Sequence, residues 1–389
     1  MPQAAHFPVP PLTTTTEDLA AACARLATHD YVTVDTEFLR ETTYYPKLCL
    51  IQMASAEEIV LVDPLAAGID LAPFFALMAN EAVTKVFHAA RQDLEIIWNL
   101  GRLIPTPLFD SQVAAMVCGY GEQVSYESLA TGLAGAKIDK SSRFTDLARR
   151  PLTDAQLVYA AADVTHLRVV YQKLKSRIEK NDRMSWVADE MAILNNPKTY
   201  EMDPEEAWMR VKARIRKPVE RAVLMELAAW REREAQGRDV PRGRIIKDDG
   251  LAEIAVAQPK SVEELGRLRA IPNGFERSRA GADILEAVAR GKARDPATIP
   301  PFEQERAGGS GALVQLLKVL LQSVSERNQV AAKLIASADE VERLAARPEN
   351  DMPVLQGWRG EIYGQIALKL IRGEVLLGLD KGRVVTVPR

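Results

Sequence analysis

Residues 31–62 run YVTVDTEFLRETTYYPKLCLIQMASAEEIVLV. Three pieces of this stretch have strand character: 31–34, which is β-branched and aromatic, the apolar run 48–53, and 59–62, closed by Asp63-Pro64. Outward from it, the pattern predicts a helix over 71–79, a strand over 84–88 and a helix over 89–100 stopped by Gly101. Two more helices are expected over 110–117 and 126–133. The best-marked helix starts at Thr153, where Gln156 three residues on makes a capping-box pattern. Leu157, Val158, Ala161, Val164, Leu167 and Val170 then recur at helical spacing. Three strands followed by alternating helix and strand describe an α/β domain, a mixed sheet flanked by helices, over residues 1–200.

The 389 residues exceed one typical domain, and 47% hydrophobic with 26% charged residues excludes wholesale disorder and collagen-like repeats. The longest apolar run, 311–324, is too short for a membrane span and contains Lys318. The opening MPQAAHFPVPPL lacks the basic-then-apolar order of a secretory signal. Cys23, Cys49 and Cys118 are scattered and odd in number, so a reduced, cytoplasmic setting is expected.

After the Asn195-Asn196-Pro197 breaker, strand signals nearly vanish. Helices are expected over 219–234, 251–256 and 262–268, then a Pro- and Gly-rich linker over 295–311 and a helical group over 312–378. This gives two small all-α domains, 201–290 and 295–389. Residues 1–200 hold 18 basic and 24 acidic residues, whereas Arg210 to Lys247 holds 12 basic and five acidic. An acidic front and a basic stripe behind it fit metal chemistry joined to polyanion binding, although alternating signs at Arg231, Glu232, Arg233 and Glu234 also fit a solvated, ion-paired helix face.

Asp35 and Glu37 stand two apart at a strand end, so both carboxylates share one face. Paired carboxylates repel unless a cation neutralises them, which points to a hard divalent metal. Asp93 falls in the first turn of a helix that follows a strand. Asp163 and Tyr159, four apart on the capped helix, share a face, and Asp163 is flanked by apolar Ala160–Ala162 and Val164. An acid there is costly to bury without counter-charge.

The series DTEF (35–38), HAARQDLE (88–95) and YAAADV (159–164) resembles the three exonuclease motifs of the DEDD family, in the subtype with Tyr in the third motif. The sister subtype has His five residues before the last Asp, where this chain has Val158. The wider context, DTEFLRETTYYPKLCLIQ and RPLTDAQLVYAAADVTHL, is similar to the ribonuclease D branch; it departs at Leu147, where Trp is common. WREREAQGRDVPRGRIIKDDGLAEIA (230–255) resembles the HRDC module, and 295–389 looks like a degenerate second copy. The resemblance implies an α/β ribonuclease H-like 3′–5′ exonuclease domain followed by two HRDC-type domains.

It also implies roles. Asp35, Glu37, Asp93 and Asp163 would hold two divalent ions, Mg²⁺ or Mn²⁺, and Tyr159 would orient the attacking water. Nucleoside 5′-monophosphates would leave from the 3′ end of RNA, with transfer-RNA precursors the leading substrate. Thr36, Phe38, His88, Lys140 and Arg143 are candidate substrate contacts. Arg242, Arg244 and Lys247 are candidate nucleic-acid contacts of the tail. A monomer with no membrane association is expected. Two other classes compete: a DNA 3′–5′ exonuclease of proofreading or repair type, and a catalytically silent RNA-binding adaptor. Matched RNA and DNA strands separate the first, and the presence of all five catalytic-type residues argues against the second.

Overall fold

A computed structural model describes residues 9–138, 145–300 and 311–389. The described residues form two compact units. One comprises those of Met1–Glu37, Cys49–Pro197 and Glu305–Arg389, the other Phe38–Leu48 and Lys198–Gln304.

The first unit opens with β1 (Leu12–Thr13), α1 (Thr16–Leu26), β2 (Tyr31–Leu39), β3 (Lys47–Ala54) and β4 (Ile59–Val62), the tip of β2 and the start of β3 belonging to the second. Next come α2 (Ala72–Ala79), β5 (Thr84–Phe87), α3 (Arg91–Gly101), β6 (Leu108–Asp110), α4 (Ser111–Val117) and α5 (Tyr126–Leu129). The long α6 (Asp154–Lys180) and α7 (Met184–Leu194) complete the α/β part. The sheet order is β1-β4-β3-β2-β5-β6; β3 and β4 are antiparallel, while β1 with β4, β2 with β5 and β5 with β6 are parallel. The mixed sheet is as expected, and β2, which carries Asp35 and Glu37, is one of its central strands.

β3 and β4 are buried almost throughout, as interior strands of the sheet order. The capping box at Thr153 forms as its spacing predicts: Gln156 N–H donates to Thr153 Oγ1 (3.3 Å) and Thr153 N–H to Gln156 Oε1 (2.9 Å). Gly101 does not stop α3. It is the last helical residue, Arg102 takes the left-handed turn (φ 53°), and a Cβ at 101 would lie 2.5 Å from Phe75 Cδ1. The helix expected over 126–133 is a single α-turn that relaxes into a π-turn over Ala130–Ala134 and ends at left-handed Gly135.

The second unit contains α8 (Pro218–Arg238), α9 (Arg242–Ile245), α10 (Asp248–Ala257), α11 (Val262–Leu265) and α12 (Arg279–Ala293). Val223, Leu224, Leu227 and Trp230 of α8 share a core with Ile254 of α10 and Ile284 and Val288 of α12. The 38–48 segment is tied into it. Tyr44 and Tyr45 N–H groups both donate to Asp239 Oδ1 (3.0 Å each), and the Arg242 guanidinium lies 4.7 Å from the Tyr44 ring.

The C-terminal part of the first unit holds α13 (Gly311–Asn328), α14 (Ala332–Ile335), α15 (Ala338–Ala346), α16 (Gly357–Arg359) and α17 (Gln365–Ile371). A hairpin that the helical expectation left out follows, β7 (Val375–Asp380) and β8 (Arg383–Pro388). VLLGLD and RVVTVP favour strands, and Lys381-Gly382 supplies the two positive φ angles, 48° and 77°, that a tight hairpin turn needs. Among the described residues, no helix is long and apolar enough to cross a membrane.

Candidate active site

The site begins with one buried hydroxyl. Thr33 Oγ1, on β2, lies 2.9 Å from Val164 O on α6 and 3.1 Å from Ala54 O on β3, so its proton is shared between two elements. That bond fixes the α6 turn carrying Asp163 beside the strand carrying Asp35. Arg168 Nη1 reinforces it by donating to Ser55 O at 2.6 Å, across the β3–β4 turn. Asp35, Glu37 and Asp163 consequently present carboxylate oxygens within 4.8 Å of one another, all three half-buried.

Asp93 sits in the first turn of α3 and is buried. It lies outside that three-carboxylate cluster and accepts a short hydrogen bond from the Thr36 hydroxyl, between Asp35 and Glu37 in sequence. The start of α3 is set by Asp110, a residue the sequence reading passed over. Asp110 Oδ1 accepts from the N–H groups of Ala89 (3.0 Å), Gln112 (2.8 Å) and Val113 (3.3 Å), and Oδ2 from Ala90 (2.8 Å). It thus caps α4 and holds Ala89 in a left-handed conformation (φ 56°) four residues before Asp93.

Electrostatics follow from burial and crowding. Burial raises the Asp35 carboxyl to about 6, against a bond from the Thr36 N–H that partly offsets it. Burial and then the Asp35 charge raise Glu37 to about 8. The same two causes push Asp93 well above the ordinary carboxylate range. A set of oxygen donors too close to carry full negative charge fits a hard divalent cation, whereas zinc prefers His and Cys.

Asp35, Tyr159 and Asp163 line one cleft of about 250 Å³, so the spacing of four on α6 does bring phenol and carboxylate to the same side. His88 lines it too. Its Nδ1 is 2.9 Å from Ser111 Oγ, its ring lies 5.6 Å from that of Tyr126, and burial lowers its pKa. Ser125, Tyr126, Glu127, Ile138 and Leu167 complete the lining. None was anticipated. Tyr126 donates to Ala162 O (2.9 Å), bracing the backbone next to Asp163, and burial followed by the Asp163 charge raises its pKa. The only sequence signal for this group was Ser125, which caps α5.

Other candidates fare differently. Phe38 is half-buried and does not line the cleft. Lys140 and Arg143 lie outside the described residues. Arg242 is not a free cation: Glu232 receives two hydrogen bonds from it, each 2.6 Å. Arg244 and Lys247 are exposed. Leu147, at the position where Trp is common, is buried.

Residues 11–179 match the family model for the 3′–5′ exonuclease domain and 220–288 that for the HRDC domain. The chain is 56% identical to ribonuclease D of Nitrobacter hamburgensis, over 97% of this chain and 99% of that one. It is 50% identical to ribonuclease D of Gluconacetobacter diazotrophicus, over 99% and 98%. Its fold is similar to the crystal structure of Escherichia coli RNase D, an exoribonuclease involved in structured RNA processing, with TM-score 0.81, 30% identity, and 93% and 98% of the two chains covered. With residues of all three motifs (Asp35, His88, Tyr159 and Asp163) on one cleft and nearly its whole length shared with these relatives, the chain belongs to the ribonuclease D family of exoribonucleases.

Proposed function

We propose that the chain trims RNA from its 3′ end, one nucleotide at a time, by hydrolysis at a site that holds two divalent cations, Mg²⁺ or Mn²⁺. The observation that carries the reading is the meeting of Asp35, Glu37 and Asp163 within 4.8 Å, two of them, Asp35 and Asp163, on a cleft that Tyr159 also lines. Asp35, Glu37 and Asp163 would hold the cations, with Asp93, fixed by Thr36, completing the set. Divalent cations held there supply Lewis acidity at phosphorus and acidify water.

The protein groups then position the reactants. Tyr159 orients the attacking water toward the terminal phosphodiester. A free phenol, with a pKa of about 10, is a weak base at neutral pH, so hydrogen bonding to the water is its main part. A volume of about 250 Å³ suits a single terminal nucleotide better than a duplex. His88, hydrogen-bonded to Ser111, and Tyr126 form an aromatic wall against which a base or sugar can rest. Attack by water with departure of the 3′ oxygen leaves a nucleoside 5′-monophosphate and an RNA one residue shorter.

The proposed substrates are structured RNAs with a free 3′ end, transfer-RNA precursors foremost. The proposed acting form is a cytoplasmic monomer. A 3′-end-labelled RNA incubated with the full chain and Mg²⁺ should release labelled mononucleotides, and chelator should stop it. Internal fragments, or a rate indifferent to chelator, would overturn the mechanism; faster cleavage of the matched DNA strand would transfer the activity to DNA.

A further inference from the structure

The second unit has a cleft of its own, about 480 Å³, that the exonuclease chemistry does not use. Four cations line it, Arg210, Arg231, Arg242 and Lys247, against two carboxylates, Glu232 and Asp248. The two acids are already committed. Glu232, fully buried, takes two hydrogen bonds from Arg242 and one from the Tyr44 hydroxyl. Asp248 Oδ1 accepts from Arg231 Nη1 at 2.7 Å. The cleft therefore keeps a positive excess, and Arg210 and Lys247, both exposed, enter no ion pair among the described residues.

Arg231 is the telling residue. It is 4% exposed, its Nη1 also reaches Ile246 O (3.1 Å), yet its buried Nε has no hydrogen-bond partner among the described residues. A buried guanidinium N–H without an acceptor is a cost that native structures seldom carry. Arg231 also lines the cleft, so an acceptor with several oxygens entering there would meet its guanidinium. The planar guanidinium suits phosphate in particular, through charge-assisted bonds. Gly243 keeps the wall open: nothing lies within 4 Å of where its Cβ would be.

We propose that this cleft is a phosphate-binding site, built on Arg231 and charged by Arg210 and Lys247. Its natural occupant is a phosphodiester of the bound RNA strand; that identification rests on the exoribonuclease reading, whereas the phosphate chemistry does not. Arg242, locked by Glu232 and Tyr44, shapes the wall and is not the anion's main partner. This reassigns the basic stripe of the sequence: the cations that matter are the unpaired Arg210 and Lys247 and the half-paired Arg231.

The test uses the full chain in chelator, so that no RNA is cut, and compares Arg210→Gln/Lys247→Gln with wild type and with Lys260→Gln, an exposed cation of the same unit outside the cleft. Both altered residues are exposed, so folding is expected to be kept, and circular dichroism checks it. Inorganic phosphate is titrated by calorimetry, and a labelled single-stranded RNA by anisotropy over a range of salt.

The double variant is expected to weaken phosphate about tenfold or more and RNA by a similar factor, and to reduce the slope of log Kd against log salt by about 1–2. Lys260→Gln should stay within about twofold. Loss of phosphate binding with RNA affinity unchanged keeps the site but makes a free phosphate monoester its ligand. Phosphate binding equal to wild type in the double variant, or none in wild type, overturns the proposal. Failure of the exoribonuclease reading would show separately, as wild type releasing no mononucleotide when Mg²⁺ is present.

Discussion

Tyr159 and the carboxylates around it do different work, and single substitutions separate them. Tyr159→Phe removes one hydroxyl from the cleft and leaves every carboxylate in place. It should slow turnover by roughly 10²-fold, with RNA affinity within about threefold, because a positioned proton-transfer group acts on the rate. Single-turnover rates and anisotropy read the two quantities; equal losses in both would make Tyr159 a binding residue.

Asp35 and Glu37, raised to about 6 and about 8, also predict a pH signature. Their folded pKa values lie above the ordinary value of about 4, so the folded chain holds more protons than the unfolded one between those limits. Stability of the metal-free chain should therefore fall as pH rises from 6 to 8, as the carboxylates ionise against each other. A cation replaces those protons, so the Tm gained on adding Mg²⁺ should be roughly twofold larger at pH 8 than at pH 6. A gain independent of pH would mean that these acids do not bind the metal.

At the scale of elements, the site depends on how α3 and α6 are seated on the sheet. Asp110 is the seat of α3: four N–H groups, on both sides of β6, converge on its carboxylate. Asp110→Ala leaves them without that acceptor and should cost roughly 3 kcal/mol of stability. Asp110→Asn keeps an oxygen for the three donors now on Oδ1, so it should cost less. Urea denaturation measures both. If the two variants lose equal stability, the negative charge, and not the acceptor geometry, anchors the helix.

Across the molecule, the C-terminal helices belong to the same unit as the catalytic sheet, and the join is specific. Ala331 N–H donates to Met116 O (2.9 Å), Arg183 bonds Val117 O (2.9 Å) and Gln329 O (3.2 Å), and Trp186 of α7 stacks on Trp358 with ring centroids 4.3 Å apart. Gly119 sits at the closest approach. Its φ is 77°, and a Cβ there would be 2.5 Å from the Gln329 carbonyl oxygen. Gly119→Ala should strain the join by about 2 kcal/mol or more, lowering Tm by several degrees and exposing α13 to limited proteolysis. Unchanged Tm and protease resistance would mean that the join yields at no cost. A truncation at residue 310 would leave the Trp186 face and the Arg183 donors uncovered, so it is expected to weaken the catalytic unit and not merely shorten the chain.

The amino-acid order alone determined the local features. A capping box and spacings of two and four act through neighbours in the chain, and each formed as written: Thr153 with Gln156, Asp35 with Glu37, Tyr159 with Asp163. The family motifs added which distant acids belong together. What only the tertiary structure decided are relations without a local period. Thr33 pins α6 to β2, Asp110 orders the approach to Asp93, Tyr126 and Ser125 wall the cleft, and Glu232 takes Arg242 out of the free charge while Arg231 keeps an unsatisfied N–H. Burial and pairing are properties of what surrounds a side chain in space, and a string of residues fixes them only once the chain has folded.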